Sequence, residues 1–461
     1  MDATADLPGR VAALMPQVRD ELAELVAIPS VADPRQFPPE ECARAAAWVV
    51  ERFRDLGFAD VGLHQTSDGS KAVVGSRPGP DPSAPTVLLY AHYDVQPPLD
   101  DDAWRTPPFE LTELDGRWHG RGAADCKGNI VMHLTALRAL GEDVPVNLKL
   151  VVEGSEEQGT GGLEDFVPKH ADLLRADVIL VCDTGNAAVG HPAVTVSLRG
   201  MVNVVVQVEA LPGELHSGMF GGPAPDALAA LVAVLASLRD ADGNTTVHGL
   251  DNTQTWQGAP YDPAAFRGDA QVADSESLLG SGTVSDMLWA RPALTILGID
   301  CPPVVGSTAA ITPRASARLN LRIPPGTTPE DALAALTDHL TSAAPWGVRM
   351  SVETEATGGP FRADTSGPAY AAMGAAMREA YGLDPVLLGQ GGSIPLCNVF
   401  AETYPDAELI LLGVEEPLAG IHAPNESVDP SEIERLALAE ARFLQLYART
   451  PVVEPVETPE A

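Results

Sequence analysis

Basic residues are scarce in this chain of 461 residues: 29 Lys and Arg stand against 64 Asp and Glu, for a net charge of −35. A surface that acidic repels phosphate backbones and anionic headgroups, so no nucleic-acid partner and no membrane partner is expected. Long apolar runs are missing too. No stretch reaches the ~18–20 residues of a membrane span, and the acidic first six residues lead into an amphipathic pattern, not a basic and then apolar leader. Cysteine is rare: Cys42, Cys126, Cys182, Cys301 and Cys397 are odd in number, far apart and form no C-x-x-C pair. That argues against a disulfide framework and for reduced thiols in the cytoplasm. Internal repeats are absent. Present in excess are Gly (42) and Pro (41), together about 18% of the chain against an ordinary ~12%, which predicts many turns. A hydrophobic content of 45% suffices for a folded core, and the length predicts two or three domains.

Periodicity places a helix on Val11, Leu14, Val18, Leu22 and Leu25 and a second over 41–56, stopped by Gly57. Strands expected at 86–90, 144–152 and 178–182 alternate with helices at 130–140 and 163–174, the pattern of a mainly parallel sheet covered on both faces. From about 190 the texture changes to period-two strands at 194–208, 317–323 and 348–355, with helices at 226–238 and 328–340. That order describes a small α+β domain with one open sheet face. Between its halves the polar stretch 241–286 is too long for an ordinary connection, which predicts a functional or partner-packed segment. The α/β texture returns after 358, with a strand at 408–412 and a last helix capped by Asp429 and opened by Pro430. The expected organisation is an α/β fold interrupted by an inserted α+β domain: 1–189 and 359–450 form the first domain, 190–358 the insert, and 451–461 a disordered tail.

Five segments set acidic or imidazole groups just past an apolar strand or in a turn: His92-x-Asp94, Gly120-Arg-Gly-Ala-Ala-Asp125-Cys-Lys-Gly128, Glu153-Gly-Ser-Glu156-Glu157-Gln-Gly159, Cys182-Asp183 and His422-Ala-Pro-Asn-Glu426. Carboxyl ends of parallel strands share one crevice, so these groups are expected to converge. Two imidazoles and three or more carboxylates there suit a pair of borderline divalent cations. Three carboxylates, two dications and one hydroxide sum to neutrality, which a partly dry crevice tolerates. His92-x-Asp94 fits a carboxylate that orients a metal-bound imidazole. In Glu156-Glu157, adjacent side chains point differently, so one can ligate while the other faces a reactive water. The thiols of Cys126 and Cys182 and the amine of Lys127 read as structural, as do His64, His119, His133, His170, His191, His248 and His339, which lie outside the metal motifs.

Together and in this order, the H-x-D, G-R-G-x-x-D-x-K-G and E-G-x-E-E-x-G motifs resemble the dinuclear metallopeptidase and deacylase family of carnosine dipeptidase, glutamate carboxypeptidase, aminoacylase and acetylornithine deacetylase, and most closely its dipeptidase branch. The resemblance covers nearly the whole chain. It implies a zinc-exopeptidase-like catalytic domain with the insert as a lid and dimerisation domain. It implies that Asp125 bridges two metal ions, that His92 and Asp183 complete one site and Glu157 and His422 the other, that Glu156 is the general base, and that Asp94 orients His92. Zinc is the expected metal, with manganese and cobalt as alternatives. His216, in Glu214-Leu-His216-Ser-Gly, matches a lid histidine that polarises the scissile carbonyl in the partner subunit of a homodimer. Arg322 matches the lid arginine for the substrate carboxylate, and Gly392 and Ser393 match a loop meeting the same group. One departure appears: the threonine expected upstream of Arg322 falls near Ala309, beside Thr308, and that contact is left unassigned. The implied activity is hydrolysis of dipeptides or short peptides with a free C-terminal carboxylate; an N-acyl-amino-acid deacylase built on the same centre is the alternative.

Overall fold

The computed structural model describes residues 6–449, so the tail expected to be disordered lies outside the described residues. The chain divides into two compact units: residues 6–196, 363–388 and 399–449 form the first, and 197–362 with 389–398 the second.

Unit 1 is built on a sheet whose strands follow the order Gly62–Gln65, Lys71–Arg77, Asn147–Glu153, Thr86–His92, Val178–Cys182, Glu408–Leu412, Ala193–Leu198. The central four are parallel to one another and the flanking ones antiparallel. Every residue of Val178–Cys182 is buried, so both faces of the sheet are covered. On one face, the helix Lys127–Leu140 packs against the helices Leu7–Val26 and Pro430–Tyr447, and the latter against Pro368–Tyr381. Asp429 caps the last helix by accepting from Ser431 N at 2.9 Å, with Pro430 in its first turn. The single helix expected at 163–174 is two, Gly162–Lys169 and Ala171–Leu174; Pro168 lies near the break and His170 leaves helical geometry.

Unit 2 holds a four-stranded antiparallel sheet in the order Ala293–Asp300, Arg314–Ile323, Gly200–Glu209, Arg349–Gly358. Period-two burial puts Val202, Val204, Val206 and Val208 on one face, with Leu319 and Leu321 beside them. The helices Ala227–Ala236 and Pro329–Ala343 cover that face, capped by Asp226 and Thr328. The stretch 194–208, expected as one or two antiparallel strands, is two, Ala193–Leu198 and Gly200–Glu209, parted at Arg199. The polar segment 241–286 is ordered around an aromatic cluster in which Tyr261 stacks on Trp289 and Trp256 meets it edge-on. Asp286 ties this cluster by accepting from Trp256 N at 2.7 Å and Thr283 N at 3.0 Å.

Leu319 is fully buried on the helix-covered face, so Leu319→Ala should cost unit 2 about 2–5 kcal/mol. Its exposed neighbour Arg318, paired with Glu355 at 2.6 Å, should cost less than about 1 kcal/mol on replacement by Ala. Thermal unfolding of the two variants checks the contrast.

Candidate metal centre

The four parallel strands end on one edge of the sheet, and the groups expected to do chemistry follow those ends. Thr86–His92 terminates in His92 and turns through Asp94; Asn147–Glu153 leads into the short 3-10 turn Glu156–Gln158; Val178–Cys182 is followed by Asp183; and Glu408–Leu412 precedes the loop carrying His422.

These residues converge on Asp125. His92 Nε2 lies 3.0 Å from Asp125 Oδ1 and 3.1 Å from Asp183 Oδ1. His422 Nε2 lies 3.0 Å from Asp125 Oδ2 and 3.2 Å from Glu157 Oε2. The two oxygens of one carboxylate thus serve two separate sets, each of one imidazole and two carboxylates. His92 Nδ1 faces the carbonyl oxygen of Asp94 at 3.0 Å, which aims Nε2 at two carboxylate oxygens. An imidazole nitrogen and two carboxylate oxygens at that range call for a cation among them, a proton on the ring or a metal ion in its place. The donor set fits two divalent ions of the Zn, Mn or Co kind, one on His92, Asp125 and Asp183 and one on His422, Asp125 and Glu157.

The electrostatics agree. Burial opposes charge on Asp125, but hydrogen bonds from His422 and His92 outweigh it and hold its carboxyl well below the usual range. Burial pushes Asp183 up to about 6. Hydrogen bonds to Asp125 and Glu157 raise His422 to about 11. Burial, with Asp183 adding, raises Glu156 well above an ordinary glutamate.

The supporting contacts refine the expectation for Asp94. It faces His92 through its backbone carbonyl, with the carboxylate farther off at 3.4 Å. That carboxylate accepts instead from Glu156 N at 3.2 Å and Glu157 N at 3.0 Å, so it fixes the turn bearing the proposed base. Gln96 Nε2 donates to Glu157 Oε2 at 2.7 Å.

Two further carboxylates stand here: Glu426, which ends one of the five sequence segments, and Glu415, which lies in none of them. Glu426, fully buried, accepts from Arg121 Nη1 at 2.7 Å and from the backbone N–H groups of Gly122, Ala124 and Asp125 at 3.0–3.1 Å, so it shapes the loop that presents Asp125. Its signal was the spacing His422-x-x-x-Glu426. Glu415, also buried, brings an oxygen within 4.8 Å of those of Asp125 and Asp183. Nothing in its sequence surroundings marks it. The bland readings hold for Lys127, whose ammonium donates to Leu25 O and Ile28 O at 2.9 and 2.7 Å, and for His133, paired with Glu440 at 2.6 Å. Burial pushes the Cys126 thiol up to about 12, and its Sγ–H donates to Cys182 O at 3.0 Å.

The remaining expected residues lie in unit 2. His216 is exposed, and its Nδ1 accepts from Gly218 N at 3.1 Å, which leaves Nε2–H as the donor. Arg322 is the second-last residue of Arg314–Ile323, half-buried and without an ion-pair partner among the described residues. Gly392 and Ser393 lie in the loop between the strand Val386–Gln390 and the helix Pro395–Thr403.

Residues 88–446 match peptidase family M20/M25/M40. The chain is 42% identical over 441 residues to cysteinylglycine-S-conjugate dipeptidase of Corynebacterium striatum, spanning 94% of this chain and 96% of the relative. It is 31% identical to beta-Ala-His dipeptidase of Homo sapiens, spanning 88% and 85% respectively. The crystal structure of human carnosine dipeptidase 1 superposes with a TM-score of 0.79 at 27% identity, over 96% of this chain and 98% of that one.

Asp125→Asn should weaken both ion sites and His422→Ala chiefly one, a difference that elemental analysis after dialysis reads directly. The raised pKa of His422 means that the metal-stripped protein holds a proton there from neutrality up to about pH 11. Loading at pH 8 should therefore release protons, and calorimetry in buffers of different ionisation enthalpy should show at least one per chain.

Proposed function

The chain belongs to peptidase family M20/M25/M40, and on that premise we propose that it is a dinuclear metallo-dipeptidase cleaving dipeptides or short peptides with a free C-terminal carboxylate. The observation that carries this reading is the division of Asp125 between two ligand sets, 3.0 Å from an imidazole nitrogen on either side. Its dipeptidase relatives support the substrate class over the N-acyl-amino-acid alternative.

His92, Asp125 and Asp183 would hold one ion and His422, Asp125 and Glu157 the other, with zinc the first choice and manganese or cobalt alternatives. Bound there, two such ions supply Lewis-acid polarisation of the substrate carbonyl and acidify water. Glu156, buried and raised in pKa, takes the proton from the attacking water and returns it to the leaving amine. Asp94 holds Glu156 in place through its backbone N–H. In unit 2, His216 is assigned to the scissile carbonyl through its Nε2–H, and Arg322, Ser393 and Gly392 to the terminal carboxylate, where a planar guanidinium makes a two-pronged pair.

A homodimer through unit 2 is part of this proposal. The helix Ala227–Ala236 buries Leu231, Val234 and Leu235 within its own unit, and the open sheet face is largely polar, with Asn203, Gln207, Arg318 and Asn320. Apolar exposure follows the edge strand Ala293–Asp300, at Ile296, Leu297 and Ile299, and continues at Val304 and Val305. An unpaired apolar edge invites strand pairing with a second copy. Five cysteines that stand far apart in the sequence, with no C-x-x-C pair, support a reducing, cytoplasmic setting. Among the described residues no helix is long and apolar enough to cross a membrane.

Chelation should abolish dipeptide hydrolysis, and added Zn, Mn or Co should restore it; full activity in stripped protein would end the two-ion reading. Glu156→Gln should retain metal while losing on the order of 10²–10⁴ in kcat. A panel of dipeptides against acetylated and succinylated amino acids decides between peptidase and deacylase. Mixing Glu156→Gln with His216→Ala subunits should restore some turnover if His216 acts across the dimer.

A further inference from the structure

We infer that Glu415 is a further ligand of the ion assigned to His92, Asp125 and Asp183, which makes that site the more anionic of the two and suits it to manganese. The inference rests on the two-ion reading and adds to it a residue that lies in none of the sequence motifs.

The backbone places Glu415 beside Asp183. The strand Glu408–Leu412 runs parallel to Val178–Cys182 with Leu412 opposite Cys182, and the same register carries past both strand ends to Glu415 opposite Gly185. Asp183 N donates to Leu412 O at 3.2 Å and Asn186 N to Glu415 O at 2.8 Å, so the two segments stay paired beyond the sheet. A Cβ at Gly185 would stand 2.4 Å from Glu415 O, a close approach that only glycine permits.

The side chain is left open. Glu415 is only 5% exposed, and its Oε1 is buried without a hydrogen-bond partner among the described residues. Two other buried carboxylates beside the centre are closed: Asp94 accepts from Glu156 N and Glu157 N, and Glu426 from Arg121 and three backbone N–H groups. Glu415 instead brings an oxygen within 4.8 Å of carboxylate oxygens of both Asp125 and Asp183. A carboxylate taken out of water without a donor costs free energy, and two anionic neighbours raise the cost. A dication among the three oxygens offsets both penalties. Oxygens on one dication stand at most about 4.4 Å apart, from bonds of about 2.2 Å, so these three close on an ion by small shifts. The two sites then differ: Asp125, Asp183 and Glu415 join one imidazole at the first, and Asp125 and Glu157 join one at the second. Added carboxylate oxygen favours manganese over zinc.

The test titrates the metal-stripped full chain with Mn²⁺ or Zn²⁺ by calorimetry and reads ion content after dialysis by elemental analysis. Glu415→Gln keeps the size of the side chain and removes its charge. It should weaken one ion about tenfold or more and leave the other within about threefold, with the larger loss for Mn²⁺. Combined with His422→Ala it should leave less than one ion per chain; combined with Asp183→Asn it should leave the His422 ion in place. Thermal unfolding separates ligation from a merely structural role. Without metal, Glu415→Gln should melt at or above wild type, because an unmatched buried carboxylate is gone, and added metal should raise its Tm less than that of wild type. Wild-type affinity for both ions in Glu415→Gln, equal weakening of both, or a stripped variant that melts below stripped wild type overturns the inference. Equal losses for Mn²⁺ and Zn²⁺ overturn the preference for manganese and leave the ligand. Dipeptide turnover is measured alongside: its absence in wild type with Glu415-dependent ion binding intact overturns the dipeptidase reading and leaves the ligand standing.

Discussion

One carboxylate shared between two imidazole-bearing sets organises unit 1. For both oxygens of Asp125 to be used, the loop at 120–128 must present that side chain at the meeting point of three strand ends. Much of the chemistry around it holds the loop there. Glu426 gathers three backbone N–H groups and the Arg121 guanidinium, Arg121 lies over Trp104 at 5.3 Å, and buried Lys127 anchors the following helix to the carbonyls of Leu25 and Ile28. These groups touch no reacting atom in the proposed chemistry. Their work is to hold three carboxylates within hydrogen-bonding distance of two imidazoles, an arrangement that mutual repulsion would otherwise spread apart. The left-handed backbone at His422, with φ of 62°, is part of the same cost.

Unit 2 has the opposite electrostatic character at its functional end. Where unit 1 concentrates anionic oxygens that call for cations, unit 2 buries the Arg199 guanidinium with Nε and Nη1 lacking a hydrogen-bond partner among the described residues. Each unit therefore holds buried charge of one sign that its own residues leave incompletely matched. That is the signature of binding sites as opposed to structural ion pairs, which close on themselves as Arg138 and Glu21 do.

Sequence alone carried the parallel sheet, the α+β insert and the metal-facing residues, because each leaves a local trace. Period-two and period-3.6 burial, Asp429-Pro430 at a helix start, and acidic or imidazole groups one or two residues past an apolar strand are all set by near neighbours. The motif order then tied His92, Asp125, Glu156, Glu157, Asp183 and His422 to one centre. Tertiary structure decided what depends on residues far apart in the chain. It gave Asp94 its partner in the Glu156–Glu157 turn, made Glu426 the keeper of the Asp125 loop across three hundred residues, and brought Glu415 beside Asp183. It exposed apolar side chains along the edge strand Ala293–Asp300 of unit 2, and it left Arg199 Nε and Nη1 buried without a hydrogen-bond partner among the described residues. The reason is physical: a side chain's partner in a hydrogen bond or its lack of a counter-charge is a property of the packed interior, and no window of neighbouring residues contains it.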